Sequence, residues 1–206
     1  MIPYERDPAA IYAQSFAIVR AEARLAHLPP SAHPLAIRIA HACGMPDITD
    51  DLVVNDDVID VGRRALAEGA PILVDAAMVA HGIIRSRLPA ANEIRCDLND
   101  PCVPALASKL ETTRSAAQLD LWGPALDGAV VAIGNAPTAL FRLLEIVQGG
   151  GPRPAIVIGM PVGFVGAAES KELLIESGLR HVAVRGRRGG SAIAAAAVNA
   201  IAGGLE

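Results

Sequence analysis

Aromatic residues are scarce in this chain of 206 residues: phenylalanine, tyrosine and tryptophan make up 3% of it, although 52% of its residues are hydrophobic. A core of this composition is built from alanine, valine, isoleucine and leucine, which suits helices packed on strands that are buried on both faces. Positive charge is not in excess either, since the formal net charge is −4. Without a basic field, nucleic acid is not an expected partner.

Cysteines and long apolar segments are also few. Cys43, Cys96 and Cys102 form no CxxC pair and no zinc-binding spacing, so we expect reduced thiols in a reducing compartment and no metal site. The longest apolar run, at 193–202, contains Asn199 and is too short to span a bilayer. The N-terminus lacks the apolar segment of a signal peptide. We therefore expect a cytoplasmic protein that does not associate with membranes.

The first third of the sequence has the pattern of helices. Asp7 followed by Pro8 is typical of an N-cap with proline at the first helical position, and this helix is expected to end before Pro29. A second helix is predicted at 31–43, with Gly44 as the residue that ends it. A third is predicted to open at 55–57 and to close at Gly69.

From residue 71 onwards, short β-rich segments alternate with helical stretches, which indicates βαβ units and a parallel sheet. The strands are predicted at 71–74, 93–98, 129–133, 155–158 and 181–184, and the clearest helices at 138–147, 167–176 and 191–202. We therefore predict one domain over 1–206. Its fold is expected to be a three-layer α/β/α arrangement, with N-terminal helices and a five-stranded parallel sheet in flavodoxin-like order. Ligands of such sheets bind beyond the carboxyl ends of the strands, where Asp75 and the loops at 134–138, 159–163 and 185–187 are expected.

Nucleotide-binding signatures are absent from these loops. Gly159, Gly163 and Gly166 follow a predicted strand, but their spacing is not that of GxGxxG, and no GxxxxGK[ST] is present. Tight packing of strand against helix explains these glycines better.

Two histidines fall near predicted helix ends. His41 lies in the last turn of the second helix, where the helix dipole favours the imidazolium and makes it a candidate proton donor near neutral pH. A structural histidine that caps carbonyl groups is the alternative. His81 follows a helical stretch in the same way, and composition does not separate the two. His41 and Cys43 point apart on a helix and complete no ligand set for a metal.

Two groups of residues are candidates for binding an anion. Arg114, between Thr113 and Ser115, is expected near a helix N-terminus. Arg185 begins a basic loop with Arg187 and Arg188 that suits carboxylate or phosphate recognition. Solvated arginines are the alternative in both cases. Ser15 lies on a mostly apolar helix face and reads as a tolerated small residue.

Several segments together resemble the precorrin-8X methylmutases of corrin (vitamin B12) biosynthesis, in order along essentially the whole chain. They are 11–16 (IYAQSF), 41–44 (HACG), 75–82 (DAAMVAHG), 113–117 (TRSAA), 134–140 (GNAPTAL), 159–171 (GMPVGFVGAAESK), 184–186 (VRG) and 189–191 (GGS). The segment at 159–171 is the most specific of them.

The resemblance implies an isomerase that moves a methyl group from C11 to C12 of precorrin-8X and so gives hydrogenobyrinic acid. It also implies a flavodoxin-like fold, no cofactor or metal, and a homodimer with its sites near the subunit interface. His41 falls on the family's catalytic histidine. Substrate binding is expected from Ser15, from Arg114 with its neighbours Thr113 and Ser115, and from Arg185.

Two alternatives remain open at this stage. One is the same reaction on the cobalt-containing substrate of the anaerobic branch, which shares the fold and the histidine. The other is a corrinoid carrier that binds the product and passes it on without catalysis. His41 speaks against a carrier, because binding alone does not need an acid.

Overall fold

The N-terminal helices form as their capping residues predict. The computed structural model describes residues 2–203, and its first helix begins at Pro8, where the Asp7 side chain accepts a hydrogen bond from the backbone N–H of Ala9. The helix ends at Glu22, earlier than expected. The second helix ends at Gly44, whose φ of 70° is favourable only for glycine.

Helices and strands alternate along the rest of the chain. In chain order the helices are α1 Pro8–Glu22, α2 His33–Cys43, α3 Val58–Ala67, α4 Ala77–Gly82, α5 Val103–Lys109, α6 Arg114–Ala117, α7 Pro137–Gln148, α8 Ala167–Glu176 and α9 Ser191–Ala202. The strands are β1 Leu52–Val54, β2 Ile72–Val74, β3 Ile94–Arg95, β4 Val130–Ile133, β5 Ile156–Gly159 and β6 His181–Val184. Short 3₁₀ helices, including Pro46–Asp51 between α2 and β1, fill several of the connections.

The six strands form one mixed sheet in the order β1-β6-β5-β4-β2-β3. The pairs from β3 to β6 are parallel, whereas β1 runs antiparallel to β6. The prediction of a five-stranded, wholly parallel sheet is therefore wrong in one element. The missed strand has only three residues, too few for an alternating pattern, and its pairing partner lies about 130 residues later in the chain, as in the Leu52–Val184 pair.

Alternate residues of the parallel strands β2, β4, β5 and β6 enter two separate apolar cores, as expected for strands buried on both faces. In β4, Val130 and Ala132 face the core that contains α1, α2, α3, α4 and α9, while Val131 and Ile133 face the core that contains α7 and α8. Helices therefore cover both sides of the sheet. None of the helices described is both long and apolar enough to cross a membrane.

Candidate active site

His41 lies in the last turn of α2, as predicted, and is held by side chains of α1. Its Nδ1 is 3.0 Å from the hydroxyl oxygen of Ser15. The Phe16 ring stacks on the imidazole with centroids 4.5 Å apart and planes at 23°, and the Tyr12 ring lies 5.5 Å away. Nε2 has no hydrogen-bond partner among the described residues. The histidine is thus fixed on one side, with a second ring nitrogen available for chemistry.

The pKa of His41 moves in the opposite direction from the one predicted. Partial burial lowers it below the ordinary value of about 6.5, and the nearby positive charge of Arg38 lowers it further. A helix C-terminus by itself favours the imidazolium, so the direction predicted from the sequence was upward. The pKa of His41 in the free protein is therefore lowered, against the direction that the helix end predicts.

The structure separates the two histidines that composition left alike. His81 lies in the last turn of α4 and is exposed, and no described residue hydrogen-bonds its ring. His41, by contrast, is half-buried and contacts Ser15 and two aromatic rings. Of the two, only His41 has the surroundings that fix an imidazole in one orientation.

Asp75 joins two of the loops at the carboxyl edge of the sheet. It follows β2, is fully buried, and accepts backbone hydrogen bonds of 2.7–2.9 Å from Gly134, Asn135 and Ala136 after β4. Burial raises the pKa of its carboxyl group, and the three N–H donors oppose that rise. The sequence marked this position as a strand end but gave no role for it.

Arg114 lies beside the same loop. The Thr113 hydroxyl caps α6 through the N–H of Ala116 and lies 2.8 Å from the hydroxyl of Thr138, the second residue of α7. Arg114 is exposed and makes no hydrogen bond or ion pair with any residue in 2–203, and Ser115 is half-buried. The N-terminus of α6 is poorly suited to binding an anion, because the helix has only four residues and Thr113 already caps it. The guanidinium of Arg114 is the better candidate.

The loops after β5 and β6 are joined to each other. The N–H of Gly190 donates to the Met160 carbonyl at 2.8 Å, and a side chain on Gly189 would lie 2.4 Å from the carbonyl oxygens of Met160 and Pro161. From α8, the fully buried Lys171 donates to the Arg188 carbonyl at 2.6 Å, and burial lowers its pKa to about 8. These contacts join the two loops to each other and to α8.

The basic loop at 185–188 is less available than its sequence suggested. Arg185 is ion-paired with Glu172, and Arg188 with Asp47 and Asp51. The Arg187 guanidinium lies 5.5 Å from the centroid of the Phe164 ring. Two of the three arginines are thus already neutralised by carboxylates from other segments.

These contacts bring the candidate residues to one edge of the sheet. Arg188 connects the loop after β6 to Pro46–Asp51, which directly follows the helix of His41, while Arg114 adjoins the loop after β4. Strands β6 and β4 lie two positions apart in the sheet, or roughly 10 Å at ordinary strand spacing. The C-terminal end of α2 and the N-terminal end of α6 therefore both adjoin this edge of the sheet.

A cavity of about 570 Å³ lies against α1. It is lined by α1 residues, among them Tyr12, Phe16 and Arg20, and by Arg87. The two rings that contact His41 thus separate the imidazole from this space. No group of three or more histidine, cysteine, aspartate or glutamate side chains in 2–203 is placed to hold a metal ion.

Sequence reasoning gave no role to Arg38, which lies one turn before His41. It is 8% exposed and donates a hydrogen bond to the Tyr12 hydroxyl. The only signal was its spacing of three residues from the histidine, which places both on one face of a helix. Nothing in the sequence showed that this arginine is buried.

Comparison with known proteins gives consistent matches over the whole chain. The family model described as CbiC, precorrin-8X methylmutase, matches residues 10–203. A precorrin-8X methylmutase of Pseudomonas aeruginosa is 60% identical, over 98% of this chain and 98% of that protein. One of Sinorhizobium is 56% identical over 97% and 96%. A cobalt-precorrin-8 methylmutase of Salmonella typhimurium is 38% identical over 96% of each chain.

Solved structures match in the same way. A crystal structure of precorrin-8X methylmutase from Thermus thermophilus superimposes with a TM-score of 0.84 at 37% identity, covering 94% of this chain and 96% of that one. Fold and sequence therefore agree on a single family, and the resemblance carried by the motifs is confirmed.

Proposed function

Because the chain belongs to the precorrin-8X methylmutase family, we propose that it moves a methyl group from C11 to C12 of precorrin-8X to give hydrogenobyrinic acid. Substrate and product are isomers: the bond from the methyl group to C11 breaks, the bond to C12 forms, and nothing else is consumed. The family match carries this proposal, and His41 at the carboxyl edge of the sheet supports it.

The metal-free substrate is favoured over its cobalt-containing counterpart. The relatives at 60% and 56% identity are named precorrin-8X methylmutases, whereas a relative named for the cobalt substrate is 38% identical. The parallel strands β3-β2-β4-β5-β6, counted in chain order among themselves, run 2-1-3-4-5, which supports a flavodoxin-like fold. A single catalytic domain in the cytoplasm fits this assignment.

His41 assists the migration as an acid. Protonating the conjugated macrocycle weakens the bond that must break, and the same imidazole can recover the proton once the methyl group has moved. Although the His41 pKa is lowered in the free protein, the carboxylates of a bound substrate offset the Arg38 charge and favour the imidazolium. Nε2, which has no described partner, is the nitrogen that carries the proton to the substrate.

Ser15 suits both protonation states of this histidine. Its hydroxyl can donate to Nδ1 when the imidazole is neutral and accept from Nδ1–H when it is charged. The serine therefore keeps Nε2 in one direction throughout the proton cycle. This orienting role is added to the substrate contact that the resemblance implies.

The substrate's carboxylates are bound by cations at the same edge. We expect Arg114→Ala to raise the Kd for hydrogenobyrinic acid roughly tenfold, the loss of one charge-assisted hydrogen bond. Added salt should weaken binding by the native protein. A spectroscopic titration measures both, with Arg153→Ala, an exposed arginine ahead of β5 at the opposite edge, as the control. Equal affinity in both variants and no salt dependence would contradict this role.

Arg185, with Thr113 and Ser115, is expected to contribute less, since Arg185 is already paired with Glu172.

A homodimer is part of the proposal. Large apolar side chains are exposed at the carboxyl edge, with Phe164 86%, Val165 88% and Met78 75% accessible. The cavity beside α1 is too small to enclose a tetrapyrrole, and a second copy placed against this edge would supply the additional contact surface.

Single-turnover spectroscopy tests the proposed function. Purified protein is mixed with no more than one equivalent of precorrin-8X. The absorption spectrum of the substrate should change to that of hydrogenobyrinic acid, without added metal or cofactor. A parallel assay with the cobalt-containing substrate separates the two branches. Tight binding of product without any conversion of substrate would favour a carrier instead.

A further inference from the structure

A closed series of hydrogen bonds connects the residue after β2 with helix α6. The Asp75 carboxylate accepts from the backbone N–H groups of 134–136, which lead into α7. In the first turn of α7, the Thr138 hydroxyl lies 2.8 Å from the hydroxyl of Thr113, which caps α6. Just after α6, the side chain of Gln118 donates to the Asp75 carbonyl at 2.9 Å. Helix α6 is therefore attached to the end of β2 by two separate routes.

Gln118 is the buried member of this series. Its side chain is fully buried, and its amide nitrogen donates to the carbonyl of Asp75 and, at 3.4 Å, to that of Ser115. Its backbone N–H donates to the carbonyl of Arg114. Burying an amide is unfavourable unless it is hydrogen-bonded, and this amide forms its bonds with α6 and with the end of β2. Gln118 thus fixes the backbone of α6 from inside the protein.

The direction of the Arg114 side chain depends on these attachments. Arg114 is exposed, and its guanidinium makes no hydrogen bond or ion pair with the part of the chain that the structure describes. The guanidinium is therefore placed by the backbone of α6 rather than by a neighbouring side chain. A helix of only four residues is not stable by itself, so its geometry depends on what holds it. The supports of α6 decide where this cation lies.

We propose that Gln118 and Thr138 are positioning residues which, through α6, direct the Arg114 guanidinium towards a carboxylate of the substrate. The proposal rests on the function proposed above and adds residues to it. A charge-assisted hydrogen bond depends on distance and angle, so a small displacement of the helix weakens it. Gln118 is too deeply buried to touch the substrate, and its effect on binding passes through Arg114.

A double-mutant cycle with Arg114→Ala tests this role. Gln118→Met keeps the length of the side chain but removes the amide, and it should raise the Kd for hydrogenobyrinic acid about fivefold in the native background. In the Arg114→Ala background the same substitution should leave the Kd unchanged, because the cation through which it acts is gone. An equal increase in both backgrounds would overturn the proposal, and so would native affinity in Gln118→Met.

Asn92→Leu is the matched control for a general loss of stability. Asn92 is also a buried amide, and it donates to the backbone carbonyls of Leu66 and Ala70 at 2.9 and 2.8 Å. Ala70 precedes β2, at the end of that strand opposite to Asp75. Both Gln118→Met and Asn92→Leu should lower the denaturant midpoint of unfolding, but only Gln118→Met should raise the Kd. An equal rise in Asn92→Leu would mean that destabilisation alone weakens binding, against the proposal.

A second variant keeps the test decisive if Gln118→Met does not fold. Thr138→Val removes the hydroxyl that contacts Thr113, and we expect it to raise the Kd about twofold, again only when Arg114 is present. Native affinity in Thr138→Val, or the same loss in both backgrounds, would then overturn the proposal.

The same titrations distinguish this proposal from the proposed function. If the native protein converts precorrin-8X but Arg114→Ala binds with native affinity, the role of Arg114 and its positioning both fail while the isomerase activity stands. If the native protein neither binds nor converts its substrate, the proposed function fails instead.

Discussion

Replacing His41 with asparagine should lower single-turnover conversion of precorrin-8X by about 10²–10⁴-fold, the usual contribution of a general acid. Asparagine can still hydrogen-bond Ser15 and fill the space beside Phe16, so the fold should be kept. Binding of hydrogenobyrinic acid should change little, since the carboxylate contacts proposed above lie on arginines. Rapid-mixing spectroscopy and a product titration on the same preparation measure the two effects.

His81→Asn is the control, because this exposed histidine has no described partner and should keep nearly native turnover. Conversion at the native rate in His41→Asn would mean that the shift proceeds without this acid.

The pH dependence gives a separate test of the same residue. Only protonated His41 can donate, so kcat/KM should fall as pH rises through the pKa of the free protein, which lies below about 6.5. The profile of kcat, which reports the complex, should have its midpoint at higher pH because bound carboxylates favour the imidazolium. Residual activity of His41→Asn should show neither midpoint. If the kcat and kcat/KM profiles of the native protein have the same midpoint pH, the bound substrate does not offset the charge of Arg38.

Asp75→Ala should have the largest effect on stability. It removes the acceptor of three backbone N–H groups, those of Gly134, Asn135 and Ala136, in a fully buried position. An unsatisfied buried donor costs about 1–3 kcal/mol, so we expect the free energy of unfolding to fall by roughly 3–5 kcal/mol and Tm by about 10 °C. Product affinity should fall as well, because the loop beside Thr113 and Arg114 loses its anchor.

Asp75→Asn and Asp127→Ala complete this experiment. Asparagine keeps one acceptor oxygen, so its loss of stability should be intermediate. Asp127 is exposed and its side chain has no described partner, so its replacement should change stability by less than about 0.5 kcal/mol. Denaturant unfolding of all three variants measures the series, and a native midpoint for Asp75→Ala would show that solvent replaces the carboxylate.

Local signals in the sequence predicted most of the fold. Asp7 and Pro8 marked the start of α1, Gly44 marked the end of α2, and short β-rich segments marked all five parallel strands, because each of these depends on neighbouring residues alone. The strand β1 was missed because its three residues become a strand only by pairing with β6, far along the chain. Pairing between strands that lie far apart in the chain leaves no periodic pattern of apolar residues in the sequence.

The candidate site was predictable in position but not in electrostatics. His41 was expected at a helix end and lies there, yet the direction of its pKa shift depends on burial and on the Arg38 charge, which only packing decides. For the same reason, the arginines at 185 and 188 read as free cations in the sequence, although Glu172 and the aspartates of Pro46–Asp51 neutralise them. Charges can be counted in a sequence, but their partners cannot.

The packing of α2 on α9, together with the pairing of β1 with β6, also has a consequence for the folding rate. The helix that carries His41 rests on Ser191–Ala202, and the strand that follows it pairs with His181–Val184, so both contacts join segments that are far apart in the sequence. Contacts of this kind close large loops and slow folding relative to local ones. The complete surroundings of the imidazole therefore depend on contacts that are expected to form late in folding.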